Sequence, residues 1–158
     1  MQTNGELPMY PSITMDDRRR SGTIIDLYSR ALISDIHDRF LLVKPSTKPD
    51  GPWEMPGGNV PPGETCTMSI IRALRDDLGI LTWPVSVVFI QDSYCKRSKQ
   101  HLLSITYCVS ILSGELQVNR SGQIDEARWF TKLEVSSGVS DEALHAINSR
   151  QVAAIMAS

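Results

Sequence analysis

The chain has 158 residues, 41% of them hydrophobic and 22% charged, with a formal net charge of −2. That is one domain of ordinary soluble composition, and the near-neutral charge excludes association driven by phosphate-backbone electrostatics, so no stable nucleic-acid binding is expected. No stretch approaches the ~18 apolar residues of a membrane span. Three widely spaced cysteines (Cys66, Cys95, Cys108) form neither a disulfide framework nor a zinc ribbon, which fits a reducing, cytoplasmic setting.

In chain order, residues 1–21 read as a flexible N-terminal arm, polar and punctuated by Pro8 and Pro11; its run Arg18–Arg20 reads as a solvated lead-in. The domain proper is expected over 22–158. Ile24, Ile25, Leu27 and Tyr28 open a strand running from Thr23 to about Ile33. Asp35–Asp38 supply a turn, and Arg39–Val43 are expected as the hairpin partner of that strand. A loop rich in breakers (Pro45, Pro49, Gly51, Pro52) follows. Beyond Pro61–Gly63 the period changes: Ile70, Ile71, Leu74 and Leu78 recur at helical spacing, with Thr65 as N-cap and Gly79 as the left-handed C-terminal stop. Val85–Ile90 read as a strand, and Leu103, Ile105, Tyr107, Val109 and Ile111 alternate strictly as a second. A short strand ends at Trp129–Phe130, and Asp141 begins a final helix carrying Leu144, Ile147, Val152 and Ile155. This order predicts an α/β fold, a mixed sheet with helices packed on it.

The chemistry concentrates in the first helix. At ~100° per residue, Ile70, Ile71, Leu74 and Leu78 share one face, while positions 73, 76 and 77 share a neighbouring arc. Asp76 and Asp77 can therefore address one ligand, and Arg72 is placed to pair with Asp76 at i,i+4. Acids at a helix C-terminus oppose its dipole, so a reason beyond helix stability is needed. Hydrolysis of a pyrophosphate offers one: hard divalent cations neutralise phosphate oxygens and activate water, and they take carboxylate and carbonyl oxygens.

The segment Gly58-x5-Glu64-x7-Arg72-Ala73-Leu74-x-Asp76-Asp77-x-Gly79-Ile80 resembles the Nudix box, G-x5-E-x7-R-E-U-x-E-E-x-G-U, where U is a bulky aliphatic. The preceding Trp53-Glu54-Met55-Pro56-Gly57-Gly58 resembles the W-x-x-P-G-G lead-in common in that family. With its flanking strands the resemblance covers about residues 22–155. It implies an α/β/α sandwich with the mixed sheet between helices, and hydrolysis of a nucleoside diphosphate linked to another moiety, a nucleotide or nucleotide sugar, with Mg²⁺ or Mn²⁺. By the same resemblance the Gly57 carbonyl, Asp76 and Asp77 hold metal; the hydrolase reading then has Glu64 and Glu126 support water activation and Arg72 orient the carboxylates, and a homodimer is an expectation that no sequence feature marks.

Three positions depart from the pattern. Both glutamates of the pair are aspartates, one methylene shorter, and the glutamate after Arg72 is Ala73, which supplies neither ligand nor base. Glu126, beside Asp125 and ahead of Arg128-Trp129-Phe130, is the candidate for a downstream acid that restores the count. Arg39, Gly58 and Trp53 are candidate substrate contacts; Trp53 also reads as core. Lys44 borders the same region, and Tyr94 could stack on a base. The basic turn Lys96, Arg97, Lys99 and His101 reads as a solvated hairpin tip rather than a clamp on a substrate phosphate or sugar acid, and Cys66 as a small buried hydrophobe. Ala73 leaves two rivals to the hydrolase: a catalytically inactive nucleotide-binding or sensor module, and chemistry on a nucleotide sugar that leans less on metal.

Overall fold

In the computed structural model, which describes residues 24–157 apart from 121 and 136, the first strand, β1 (Ile24–Leu32), is central. It runs parallel to β5 (Gln100–Ser113) on one edge and antiparallel to β3 (Gly57–Asn59) on the other. β4 (Leu81–Cys95) pairs antiparallel with β5 and completes a four-stranded mixed sheet in the order β3-β1-β5-β4. A second, two-stranded sheet joins β2 (Phe40–Pro45) to β6 (Ile124–Phe130). The proposed arm over 1–21 lies outside the described residues.

Successive strand residues point to opposite faces, and here both faces are buried. Ala31 and Ile33 go to one core with Leu41, Val43, Val109 and helix α1 (Cys66–Leu78). Leu32, Phe40, Leu42 and Met55 go to the other, against helix α2 (Asp141–Ala157) through Ala143, Ala146 and Ile147. The result is the α/β/α sandwich expected. Ile70, Leu74 and Leu78 of α1 are at most 1% exposed, each contributing roughly 1.5–3 kcal/mol of burial. The helix ends where the sequence marks them: the Thr65 side chain accepts from the Met68 N–H at 3.2 Å, and Gly79 turns left-handed at φ 69° while its N–H returns to the Arg75 carbonyl.

One pairing differs from expectation. β2 meets β1 only at the turn, through the Ser34–Phe40 bridge and the Leu41 N–H to the Ile33 carbonyl at 3.0 Å. Residues 53–59 occupy the edge a hairpin partner would need: Val43 and Glu54 exchange hydrogen bonds at 2.8 and 2.9 Å, and Gly57 pairs with Arg30. With that segment wedged between them, the two strands part and β2 finds β6. β4 also extends well beyond Val85–Ile90. Its register shifts at Leu81/Thr82, Pro84/Ser86 and Val87/Phe89 break the alternation that would have revealed its length, and Pro84 is tolerated because β4 is an edge strand.

Candidate active site

The wedge positions the site. Gly57 has φ +130°, and a Cβ there would stand 2.1 Å from the Ser29 carbonyl oxygen and 3.0 Å from Arg30 Cα, so only glycine lets β3 lie against β1. Gly58 meets nothing within 4 Å of the corresponding point and faces open space. From there the chain runs to the Thr65 cap, which fixes α1 so that its 73/76/77 arc looks back at Gly57 and Gly58.

Two adjoining cavities share Gly57, Gly58, Asn59, Asp77 and Gln123. One, about 400 Å³, extends along the helix past Arg72, Ala73 and Asp76. The other, about 260 Å³, runs between the sheets to Tyr28, Arg30, Lys48 and Glu54. Asp77 stands at the junction. Burial pushes its carboxyl pKa up; the Gln123 backbone N–H opposes the shift, the Asp76 charge adds to it, and Arg72 opposes it. The loop before β6 is clamped onto the helix end, with the Asn119 N–H on the Asp77 carbonyl at 2.9 Å and its side-chain amide on the Asp76 carbonyl at 3.1 Å.

Arg72 does not take Asp76. Its Nε donates to Glu64 at 2.7 Å, and this hydrogen bond raises the guanidinium pKa, with the charges of Asp76 and Asp77 adding to the shift. Asp76, more than half exposed, pairs with Arg75 at 3.1 Å instead. Glu64, in the turn before the helix, reaches Arg72 in partly buried space, whereas Asp76 is more exposed and stands beside Arg75 at the cavity rim. Glu64 thus joins the site through Arg72 and keeps one buried oxygen, Oε2, without a hydrogen-bond partner.

Gly57, Gly58, Arg72, Asp76 and Asp77 therefore come together, with Ala73 among them. Glu126, Trp53 and Arg39 do not line either cavity. Glu126 is exposed on β6, opposite Lys44 in register, and it is Gln123, also exposed, that borders both cavities. Trp53 packs edge-on against Phe130 at 5.0 Å, with the cations of Lys44 and Arg128 at 5.4 and 5.3 Å. Arg39 is committed to Asp35, its Nε 2.7 Å from Oδ2. Arg30 and Glu54 are among the lining residues that the sequence does not single out. Glu54 lay in view inside the Trp53–Gly58 motif; Arg30 is placed only by its register with Gly57.

The family model for the NUDIX domain matches residues 28–154. The chain belongs to the Nudix family. Among its Nudix-type relatives, an ADP-ribose pyrophosphatase of Methanocaldococcus jannaschii is 27% identical over 94 residues, covering 59% of this chain and 54% of that protein, so the match spans about half the relative's length. The E. coli ORF135 protein shares the fold with a TM-score of 0.71 at 19% identity, covering 85% of this chain and 94% of that one. A MutT NUDIX hydrolase from Burkholderia pseudomallei gives 0.69 at 22% identity, covering 80% and 98%. At those identities the structures establish the fold. Among the described residues no helix is long and apolar enough to cross a membrane.

Proposed function

We propose that this Nudix chain hydrolyses the pyrophosphate bond of a nucleoside diphosphate linked to a second moiety, a nucleotide or nucleotide sugar, with Mg²⁺ or Mn²⁺. The observation that carries this reading is Asp77, a half-buried carboxylate at the junction of two cavities, beside Gly57 and Gly58. The donor set suits a divalent cation. Burial and the neighbouring Asp76 make the ionised Asp77 unfavourable in the bare protein, a cost that a cation removes. Among the described residues no three His, Cys, Asp or Glu side chains gather to hold a metal unaided. Magnesium is commonly held by one or two carboxylates together with substrate phosphates, so Asp76, Asp77 and the Gly57 carbonyl suffice for an ion shared with the substrate.

Such an ion, when bound, neutralises phosphate oxygens and acidifies a water. The remaining roles belong to the chain. Gly58 leaves the cavity floor open to the diphosphate. Arg72, locked by Glu64, holds a fixed positive charge beside Asp76 and Asp77. Glu54, on the far wall, is the lining carboxylate able to accept a proton from water, in place of the absent acid at Ala73. The three free cysteines support a reducing, cytoplasmic setting for this activity.

The test is release of nucleoside monophosphate from a panel of nucleotides, dinucleotides and nucleotide sugars with Mg²⁺ or Mn²⁺. Activity abolished by Asp77→Asn supports the reading; no product from any member at high enzyme concentration rejects it. Ala73 favours a second reading, a binding module, because losing one carboxylate affects a binder little and an enzyme much. That reading expects saturable nucleotide binding with no turnover.

A further inference from the structure

Arg72 and Arg30 line the two cavities and Arg39 lines neither, and the three are held differently. Arg72 donates to Glu64 at 2.7 Å, and Arg39 places two nitrogens 2.7 Å from Asp35. Those are short, charge-assisted contacts. Arg30 has none of this kind. Its carboxylate neighbours stand at 3.6 Å (Glu54) and 3.8 Å (Glu142), and its one hydrogen bond among the described residues, to the Met55 carbonyl, is 3.4 Å long. Its Nε is buried and faces Glu142 Oε2 at 3.8 Å without a hydrogen bond among the described residues, and the side chain as a whole is 16% exposed.

A guanidinium presents five N–H donors in a rigid fork, and burying donors without acceptors is unfavourable. The two carboxylates beside Arg30 each face it with one oxygen, Oε2, and serve another partner with the other. Glu54 is shared with Lys48 at 3.5 Å, and Glu142 accepts from the Ser104 hydroxyl. They fix the direction of the fork without saturating it. Arg30 sits opposite Gly57 in register, lines the same cavity as Gly57, Gly58 and Asp77, and lies over the Tyr28 ring at 5.4 Å.

We propose that Arg30 is the chain's own anchor for the pyrophosphate group, its fork taking the phosphate oxygens that face away from Asp76 and Asp77. The planar fork matches a pair of phosphate oxygens. This inference rests on the pyrophosphohydrolase reading for the identity of the anion. It assigns substrate affinity to a residue outside the Nudix box, acting without a metal.

The test is calorimetric titration of the full chain with inorganic pyrophosphate and with ADP, in EDTA and again in Mg²⁺. Arg30→Gln is expected to weaken both ligands by about 10- to 100-fold, the loss of charge-assisted hydrogen bonds. Arg30→Lys, which keeps the charge and loses the fork, is expected to fall between and serves if Arg30→Gln fails to fold. Glu142→Gln removes a negative charge beside the incoming anion and is expected to tighten binding a few-fold, an effect that a merely structural Arg30–Glu142 pair would not produce. Lys132→Gln, an exposed site remote from the cavity, controls for net charge. Folded Arg30 variants that bind pyrophosphate as tightly as wild type overturn this inference alone. Wild type binding neither ligand, with or without Mg²⁺, overturns the reading of the site and this inference with it.

Discussion

Replacing Ala73 with glutamate tests what the missing carboxylate is worth. Position 73 lines the cavity along α1 and lies three and four residues before Asp76 and Asp77, so a glutamate enters open space and meets two like charges. Each such pair on a helix costs about 0.2–0.5 kcal/mol, together roughly 0.4–1 kcal/mol. Arg72 does not offset this, being held by Glu64. For a domain of this size about 1 kcal/mol corresponds to roughly 2–4 °C in Tm, so in EDTA the variant melts about 1–4 °C below wild type. With Mg²⁺ the sign reverses, because the third carboxylate strengthens binding. Both proteins gain from the cation, and at saturation a Kd about tenfold lower in the variant adds about 1.4 kcal/mol to its share, more than the repulsion. Thermal melts of both proteins across a Mg²⁺ titration, followed by hydrolysis assays on the same samples, read both effects. General-base assistance restored at position 73 is worth about 10²–10⁴-fold in rate. If the two proteins keep the same order of Tm in EDTA and in saturating Mg²⁺, position 73 is no part of a metal site and the reasoning fails.

Asp77→Asn should move stability the other way. Burial raises the Asp77 pKa above its unfolded value, so its contribution to stability is fully present below the unfolded carboxylate pKa and is lost as pH rises through the folded one. In EDTA at neutral pH the asparagine variant therefore melts above wild type, with the gap closing toward acid pH, and it loses any response to Mg²⁺; a variant less stable than wild type at neutral pH refutes the assignment. Gly57→Ala drives a Cβ into the Ser29 carbonyl and should cost about 3 kcal/mol or more by urea denaturation. Gly58→Ala, with open space at that point, should stay within about 1 kcal/mol of wild type while weakening nucleotide binding; equal losses from the two would show that Gly57 is not specially constrained. Thr65→Ala removes the α1 cap and should lower the urea midpoint by the equivalent of about 1 kcal/mol with an unchanged m-value.

Helix α1 was legible from sequence to its last residue because everything that defines it is local: the Thr65 hydroxyl, the apolar period of Ile70, Leu74 and Leu78, and the left-handed Gly79. The strands were less so. Phe40–Val43 announce a buried strand but not its partner, since the edge of β1 is claimed by residues 57–59. β4 hid its length behind bulges. The same division holds for the site. Positions within α1 and the glycine turn follow from helical geometry and the family pattern. Residues arriving from other elements depend on register: Glu126 stands opposite Lys44 on the exposed side of β6, while Arg30 reaches the cavity only because it pairs with Gly57.

The two C-terminal acids of α1 also cease to be equivalent. Both oppose the helix dipole, but Asp76 is exposed and answered by Arg75 at 3.1 Å. Asp77 takes part in no ion pair among the described residues. It is half buried, repelled by Asp76, and stabilised locally by one backbone N–H from Gln123 and by the charge of Arg72, against which burial prevails. Folding alone gives little reason for a charge there, because an asparagine would keep that hydrogen bond and remove the repulsion and the burial penalty. Ala73 has the opposite character: it relieves the helix of a third acid and removes a group a hydrolase would use. A module that merely bound nucleotide would be served by Gly58 and Arg30, with Asp77 a standing cost. The acid that the fold does not explain therefore weighs toward a cation at this site, and Ala73 bears on how fast that site turns over.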